Sequence, residues 1–257
     1  MLRAIYNRFT WPIQEKWIGT LQAAAVVRSL NLSYSLKQYV AKNDQYKILD
    51  AGCGDGAPQT LIQARRYPKT NFVAVDYYNK IPSNNRLPIP GNITFIESDL
   101  FTYNCPNDCY DLIICMDVLE HLHEDHKMIN LLSNWLKEKG VLILHVPSSV
   151  QITYFRNAHP MRRSNICSHL GDHHQRVGYE FDELESVLKK NGLGIIDFRY
   201  TFSPLTWIFK EIYQILDNYG VRGIGIITLP VIYLCTTMDI FFRPKRGNGI
   251  LIIARKF

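Results

Sequence analysis

The run Lys47-Ile48-Leu49-Asp50-Ala51-Gly52-Cys53-Gly54-Asp55-Gly56-Ala57-Pro58 decides how this chain is read. Its first five residues make a short apolar strand. A Gly-x-Gly-x-Gly turn follows, and Pro58 suits the first position of a helix, where a missing N–H costs nothing. Glycines let the backbone bend sharply and let a ligand approach without meeting a Cβ. The helix N-terminus beyond them offers N–H groups without intrahelical partners. Gly52, Gly54 and Ala57 also fit the G-x-G-x-x-A spacing of dinucleotide sites. The loop alone therefore leaves a nicotinamide cofactor and other adenosine-bearing cofactors both open.

Working outward, short runs rich in Ile, Leu and Val alternate with helical stretches up to about residue 202. They are 47–51, 71–75, 93–96, 111–115, 141–146 and 194–198, with a last run at 249–255. Runs that are apolar on both faces belong to strands covered on both sides. Alternation with helices predicts right-handed crossovers and a doubly wound, Rossmann-like α/β domain with a seven-stranded sheet. Two helices stand out. One runs from about Glu124 to Lys137 with Gly140 as its C-cap. The other starts at Asp182, with Glu185 completing a capping box, and ends near Asn191-Gly192. Several strands end in polar tips: Asp76, then Glu97-Ser98-Asp99-Leu100, then Met116-Asp117-Val118-Leu119-Glu120-His121. Such tips line the carboxyl edge of the sheet, where open α/β folds bind ligands. Asp76 stands about 20 residues beyond the glycine turn, where a carboxylate can accept from both hydroxyls of a ribose.

These features in register resemble class I S-adenosylmethionine-dependent methyltransferases, in particular the ubiquinone and menaquinone biosynthesis group, over residues 45–202 plus 249–257. A weaker likeness reaches members of bacterial glycan and lipid pathways. By that resemblance Asp50, Gly52, Cys53, Gly54 and Gly56 approach the methionine and ribose parts of S-adenosyl-L-methionine. Asp76 is similar to the ribose-binding acid, with Tyr77 beside it also read as cofactor-binding, and Ser98, Asp99 and Leu100 are similar to the adenine contact. Met116, Asp117, Val118 and His121 are similar to the segment after the fourth strand. The resemblance also implies that the last strand runs antiparallel. The expected reaction is methyl transfer to an oxygen of a small-molecule, glycan- or lipid-linked acceptor, releasing S-adenosyl-L-homocysteine. A binding scaffold without transfer activity is the alternative, and an NAD-dependent dehydrogenase a distant one.

A hydroxyl acceptor calls for a general base, and histidine is the usual choice near neutral pH. The candidates are His121, His145 and, close to the active edge along the chain, His173 and His174, with His174 beside Arg176 foremost. Packing or a solvated surface is the ordinary explanation of each. Histidines, cysteines and acids also gather at 121–126 and 167–174, but no Cys-x-x-Cys or His-Glu-x-x-His occurs, so no metal is expected.

The 257 residues are 47% apolar and 20% charged. That excludes a disordered tail, a collagen-like fibre and a disulfide scaffold, and it suits one domain. The 29 Lys and Arg exceed the 23 Asp and Glu by 6, a mild basic excess spread along the chain. No basic and aromatic stripe favours nucleic acid. The six scattered cysteines fit reduced thiols in the cytoplasm, and Met1 to Arg8 lacks the features of a signal peptide.

Three stretches depart from the family pattern. Residues 77–92 contain three prolines and little helical pattern, so the helix usually found there is expected to be short or missing. The first 45 residues are read as a helical cap. Residues 203–248 form an apolar helical insert before the last strand. In it Leu205, Ile208, Phe209, Ile212, Tyr213 and Leu216 make one helical stripe, and 223–238 carry no charge. The insert is read as a lid over the active edge, as a patch resting on the cytoplasmic face of a membrane through 203–246, or as a membrane span. A span conflicts with the return of 249–257 to the sheet. The oligomeric state is not readable from the sequence.

Overall fold

The computed structural model describes residues 22–42, 44–54, 57–77, 88–155, 158, 175–221 and 224–257. Seven strands form one sheet: β1 (Lys47–Ala51), β2 (Asn71–Asp76), β3 (Ile93–Glu97), β4 (Tyr110–Met116), β5 (Leu136–Pro147), β6 (Leu193–Thr201) and β7 (Gly249–Lys256). Their order is β3-β2-β1-β4-β5-β7-β6. Strand β7 runs antiparallel to both β5 and β6, and the other pairings are parallel. The chain crosses from β1 to one side and from β4 to the other. The carboxyl ends of these two neighbours therefore flank the point where the winding reverses, which is where such sheets open a crevice.

Among the described residues six α-helices accompany the strands: α1 (Ala23–Tyr39), α2 (Pro58–Arg66), α3 (Asp125–Trp135), α4 (Phe181–Lys190), α5 (Pro204–Asn218) and α6 (Ile224–Phe242). Residues of alternate parity along each strand serve opposite faces. Leu49, Ile113, Leu142 and Ile252 pack against Met128, Ile129 and Leu132 of α3 and against Leu184 and Leu188 of α4. Ile48, Leu112, Ile143 and Ile253 pack against Leu32 and Leu36 of α1. The N-terminal half of α1 does something else. Ala23, Val26 and Val27 join Phe202, Trp207 of α5, and Leu229 and Ile232 of α6 in a smaller cluster. Thus α1 is shared between the sheet and the insert.

Several local expectations are corrected. Helix α3 ends at Trp135 and passes straight into β5, so Gly140 is a strand residue and not a C-cap. Residues 137–140 form an irregularity between the Tyr110–Leu136 and Leu112–Val141 pairs, with Lys139 at φ 63°. Lys137 is drawn toward the sheet because its Nζ donates to Asp111 Oδ1 at 2.7 Å. Helix α4 begins one residue early, at Phe181, and its N-cap Glu180 makes no side-chain cap bond, so the capping box does not form. The apolar stripe read on α5 is only part of its packed face: Phe209 and Tyr213 pack against the smaller cluster. Thr206, Trp207 and Glu211 are buried, while Leu205 is exposed. Glu211 accepts from Trp207 Nε1 and from the N–H groups of Tyr154 and Phe155, which explains an acid turned inward.

Candidate active site

The turn after β1 is fixed by the backbone of β2. Gly52 and Cys53 N–H both donate to the Val75 carbonyl, at 2.8 and 3.1 Å. Gly52 lies at φ 79° and Gly54 at φ 73°. Side chains rarely adopt this region, and at Gly52 there is no room for one: a Cβ would stand 2.3 Å from Val118 Cγ2. Gly54 N–H donates to Asp76 Oδ2 at 2.8 Å, so the carboxylate at the tip of β2 holds the turn. Ala57, also left-handed at φ 44°, then starts α2 with Pro58 in the first turn. Asp50 sits beneath, buried, and accepts from the Thr60 hydroxyl of α2. Burial, helped by the nearby Asp76 charge, raises the Asp50 pKa to about 6 in spite of that hydrogen bond.

The turn after β3 places the second acid. Ser98 N–H donates to the Asp76 carbonyl at 2.9 Å, which ties the two strand tips together. Asp99 Oδ1 accepts from Phe101 N–H at 2.8 Å, so its carboxylate is oriented by its own loop. The Ser98 hydroxyl donates to the Asp99 carbonyl, and Ser98 is not part of the cleft wall.

The turn after β4 is the third wall. Asp117 is left-handed at φ 54°, a region that Asp tolerates better than most residues. Its carboxylate pairs with Arg28 of α1 through one oxygen and with His145 Nδ1 of β5 through the other. Burial alone would push this carboxyl up, but Arg28 and His145 hold it well below the usual carboxylate range. His145 Nε2 contacts Thr201 Oγ1 of β6 at 2.8 Å. That contact crosses Gly249 of the intervening β7, where a Cβ would meet Thr201 Oγ1 at 2.3 Å and His145 Nε2 at 2.8 Å.

These three turns and α1 enclose one cleft of about 810 Å³. Asp50, Gly52, Cys53, Gly54, Asp76 and Tyr77 line it from the β1 and β2 side. Asp99 and Leu100 line it from β3, and Met116, Asp117, Val118 and His121 from β4. Both strand-tip acids, Asp76 and Asp99, therefore face the same space. Gly56, His173 and His174 lie outside the described residues. His145 is corrected as a catalytic candidate: it is 2% exposed, both ring nitrogens are engaged, and it stands behind Asp117 and not on the cleft wall. Sequence reasoning missed Arg28, which lines the cleft from a helix that no motif marks. Among the described residues no three His, Cys, Asp or Glu side chains gather into a group that could hold a metal ion.

A methyltransferase domain family model matches residues 25–197, from α1 into β6. The chain belongs to that family. Among its relatives, the mitochondrial ubiquinone biosynthesis O-methyltransferase of Schizosaccharomyces pombe is 26% identical over 227 residues, 82% of this chain and 77% of that protein. The (S)-coclaurine N-methyltransferase of Thalictrum flavum is 28% identical over 105 residues, 39% of this methyltransferase and only 28% of the plant protein. The phosphoethanolamine N-methyltransferase 2 of Haemonchus contortus, solved with S-adenosyl-L-methionine, superposes with a TM-score of 0.56 at 15% identity. That superposition covers 88% of this chain and 52% of the other, and it shows the shared fold.

The cofactor of the family is S-adenosyl-L-methionine, and the residues of this methyltransferase fit it. The cleft is in the usual size range for a cofactor site. The missing Cβ at Gly54, where nothing stands within 4 Å, leaves open backbone at the cleft wall, and two carboxylates suit ribose hydroxyls and an exocyclic amine. A pyrophosphate suits the wall poorly. Asp50, Asp76, Asp99, Asp117 and Glu120 line it, and Arg28, the cation among the described lining residues, is already paired to Asp117.

Proposed function

We propose that this methyltransferase methylates an oxygen of a small or lipid-linked acceptor, with His121 as the general base. One observation carries the reading: Asp76, Asp99 and the Gly52–Gly54 bend share one cleft with an imidazole, that of His121. The breadth of the match to an O-methyltransferase, 82% of this chain, supports oxygen as the acceptor atom. When bound, S-adenosyl-L-methionine supplies a methyl group on a sulfonium, which is already electrophilic. The protein's share is then mostly placement and exclusion of water. Asp76 and Asp99 would hold the ribose and adenine ends, and Gly54, with open space where a Cβ would stand, would admit the cofactor to the backbone. Val118 and Met116 give the cleft apolar wall on the β4 side. Asp117, kept ionised by Arg28 and His145, adds a fixed negative charge close to His121. His121 would take the proton of an acceptor hydroxyl as that oxygen receives the methyl group.

The test is titration calorimetry with S-adenosyl-L-methionine, followed by an acceptor screen with methyl-labelled cofactor read by product mass and release of S-adenosyl-L-homocysteine. The expected result is cofactor binding with turnover on hydroxyl acceptors. His121→Ala is expected to lower kcat by about 10²-fold or more, with a much smaller change in cofactor affinity. Turnover confined to amines would sink the oxygen assignment. Binding without turnover on any acceptor would favour the scaffold reading, which the intact cofactor cleft also permits.

A further inference from the structure

The insert helix α6 has two apolar faces, and the fold uses one of them. Leu229, Ile232, Cys235 and Thr236 point inward and are buried. Asp239 also turns in, where its Oδ2 accepts from Ser203 N–H and from the Thr206 hydroxyl. The opposite half of the circumference carries Ile227, Pro230, Tyr233, Leu234, Met238, Phe241 and Phe242. These stand in solvent: Ile227 and Phe242 are 70% exposed and Phe241 is 79% exposed. At 1.5 Å per residue the strip from Ile227 to Phe242 is about 22 Å long. The polar side chain within it, Thr237, turns its hydroxyl back onto the Tyr233 carbonyl at 2.8 Å. Isolated exposed apolar residues need no explanation, but a continuous strip marks an interaction surface.

Charge decides what covers it. The strip ends in Arg243, Lys245 and Arg246, all exposed. Arg243 is held by Asp197, which leaves Lys245 and Arg246 as the cations that lead away from the helix end. No helix among the described residues is long and apolar enough to cross a membrane. Crossing would also pull β7, seven residues on, away from its pairing with β5 and β6. An exposed apolar face followed by cations suits the headgroup layer, where buried apolar area and attraction to anionic lipids add.

We propose that the outer face of α6 rests on an anionic phospholipid membrane, with Phe241 and Phe242 in the acyl boundary and Lys245 and Arg246 at the lipid phosphates. Helix α6 packs on α1, and α1 lines the cofactor cleft, so the docked surface is one helix removed from the site. This surface stands or falls independently of the acceptor reading.

The test is flotation of the full chain with vesicles of phosphatidylcholine alone and with added phosphatidylglycerol. The expected result is binding to the anionic vesicles and little to the neutral ones. The double variant Phe241→Ser with Phe242→Ser should lose roughly tenfold or more of the bound fraction. Lys245→Glu with Arg246→Glu should lose a similar amount on anionic vesicles. Both variants should keep the wild-type melting temperature and cofactor affinity, since these side chains are exposed. A wild-type chain that stays at the bottom of the gradient overturns the proposal, as does binding that neither variant weakens. It also fails if the chain ignores vesicles and forms a dimer that the double Phe variant dissociates, because a second copy then covers the strip.

Discussion

At Gly52 two demands coincide, a left-handed backbone and a space already filled by Val118. Gly52→Ala is expected to cost about 1–3 kcal/mol in stability and at least tenfold in cofactor affinity. Adding Val118→Ala should recover much of the affinity lost to the clash but not the part owed to φ. Calorimetry on the single and double variants separates the two. Asp50 gives a pH signature. Its folded pKa of about 6 lies above the ordinary aspartate value of 3.8, so the folded state holds a proton that the unfolded chain releases. The contribution of this group is fully present below the unfolded value and is lost as pH rises through 6, with a slope of about 1.4 kcal/mol per pH between the two values. Asp50→Asn, which keeps an acceptor for Thr60, is expected to remove that slope between pH 4 and 6. Urea unfolding at several pH values checks it. Gly52, Asp76 and Asp99 were legible in the sequence because each answers a local need at a strand tip. Arg28, Thr60 and Thr201 were not, because each is defined by a partner that only the fold brings near.

Among the elements, the strands were legible because a buried parallel strand must be apolar on both faces, as Ile48-Leu49 and Ile113-Ile114 are. Helix ends were less so. The 137–140 irregularity follows from Lys137 reaching Asp111 across the sheet, a contact with no local signature. The start of α4 follows from Phe181 packing on Phe198, with ring centroids 4.3 Å apart, and owes nothing to a cap. The apolar stripe of α5 shows only part of the packed face, because Glu211 and Trp207 are buried there through hydrogen bonds the sequence does not display. Strand β7 offers a sharp test. Gly249→Ala is expected to separate His145 from Thr201 and destabilise the protein by about 2–4 kcal/mol, more than a Gly-to-Ala change at an open position. Denaturant unfolding of this variant beside Gly54→Ala, where a Cβ meets nothing within 4 Å although φ is 73°, measures the difference.

Apolar contact among the described residues falls mainly on the two faces of the sheet and in a separate, smaller cluster. The sheet packs with α2, α3, α4 and the C-terminal half of α1. The start of α1 with α5 and α6 forms the smaller cluster. Amide exchange is therefore expected to be faster in α6 than in β4, β5 and β7, and mass spectrometry of exchanged peptides reads this directly. Ligand should act on the body that contains the cleft. S-adenosyl-L-homocysteine at about 100 times its Kd is expected to add about 2.7 kcal/mol, and so to raise Tm by roughly 5–10 °C, in a thermal melt.

The line Thr201–His145–Asp117–Arg28 runs from an edge strand, over a neighbour that carries no side chain at Gly249, to a helix on the far wall. It behaves as a guy rope. Anyone wishing to retune this enzyme by randomising the residues that touch its ligands would leave the rope's anchor untouched. Thr201, remote from the cleft yet tensioning its wall, is the peg to move first.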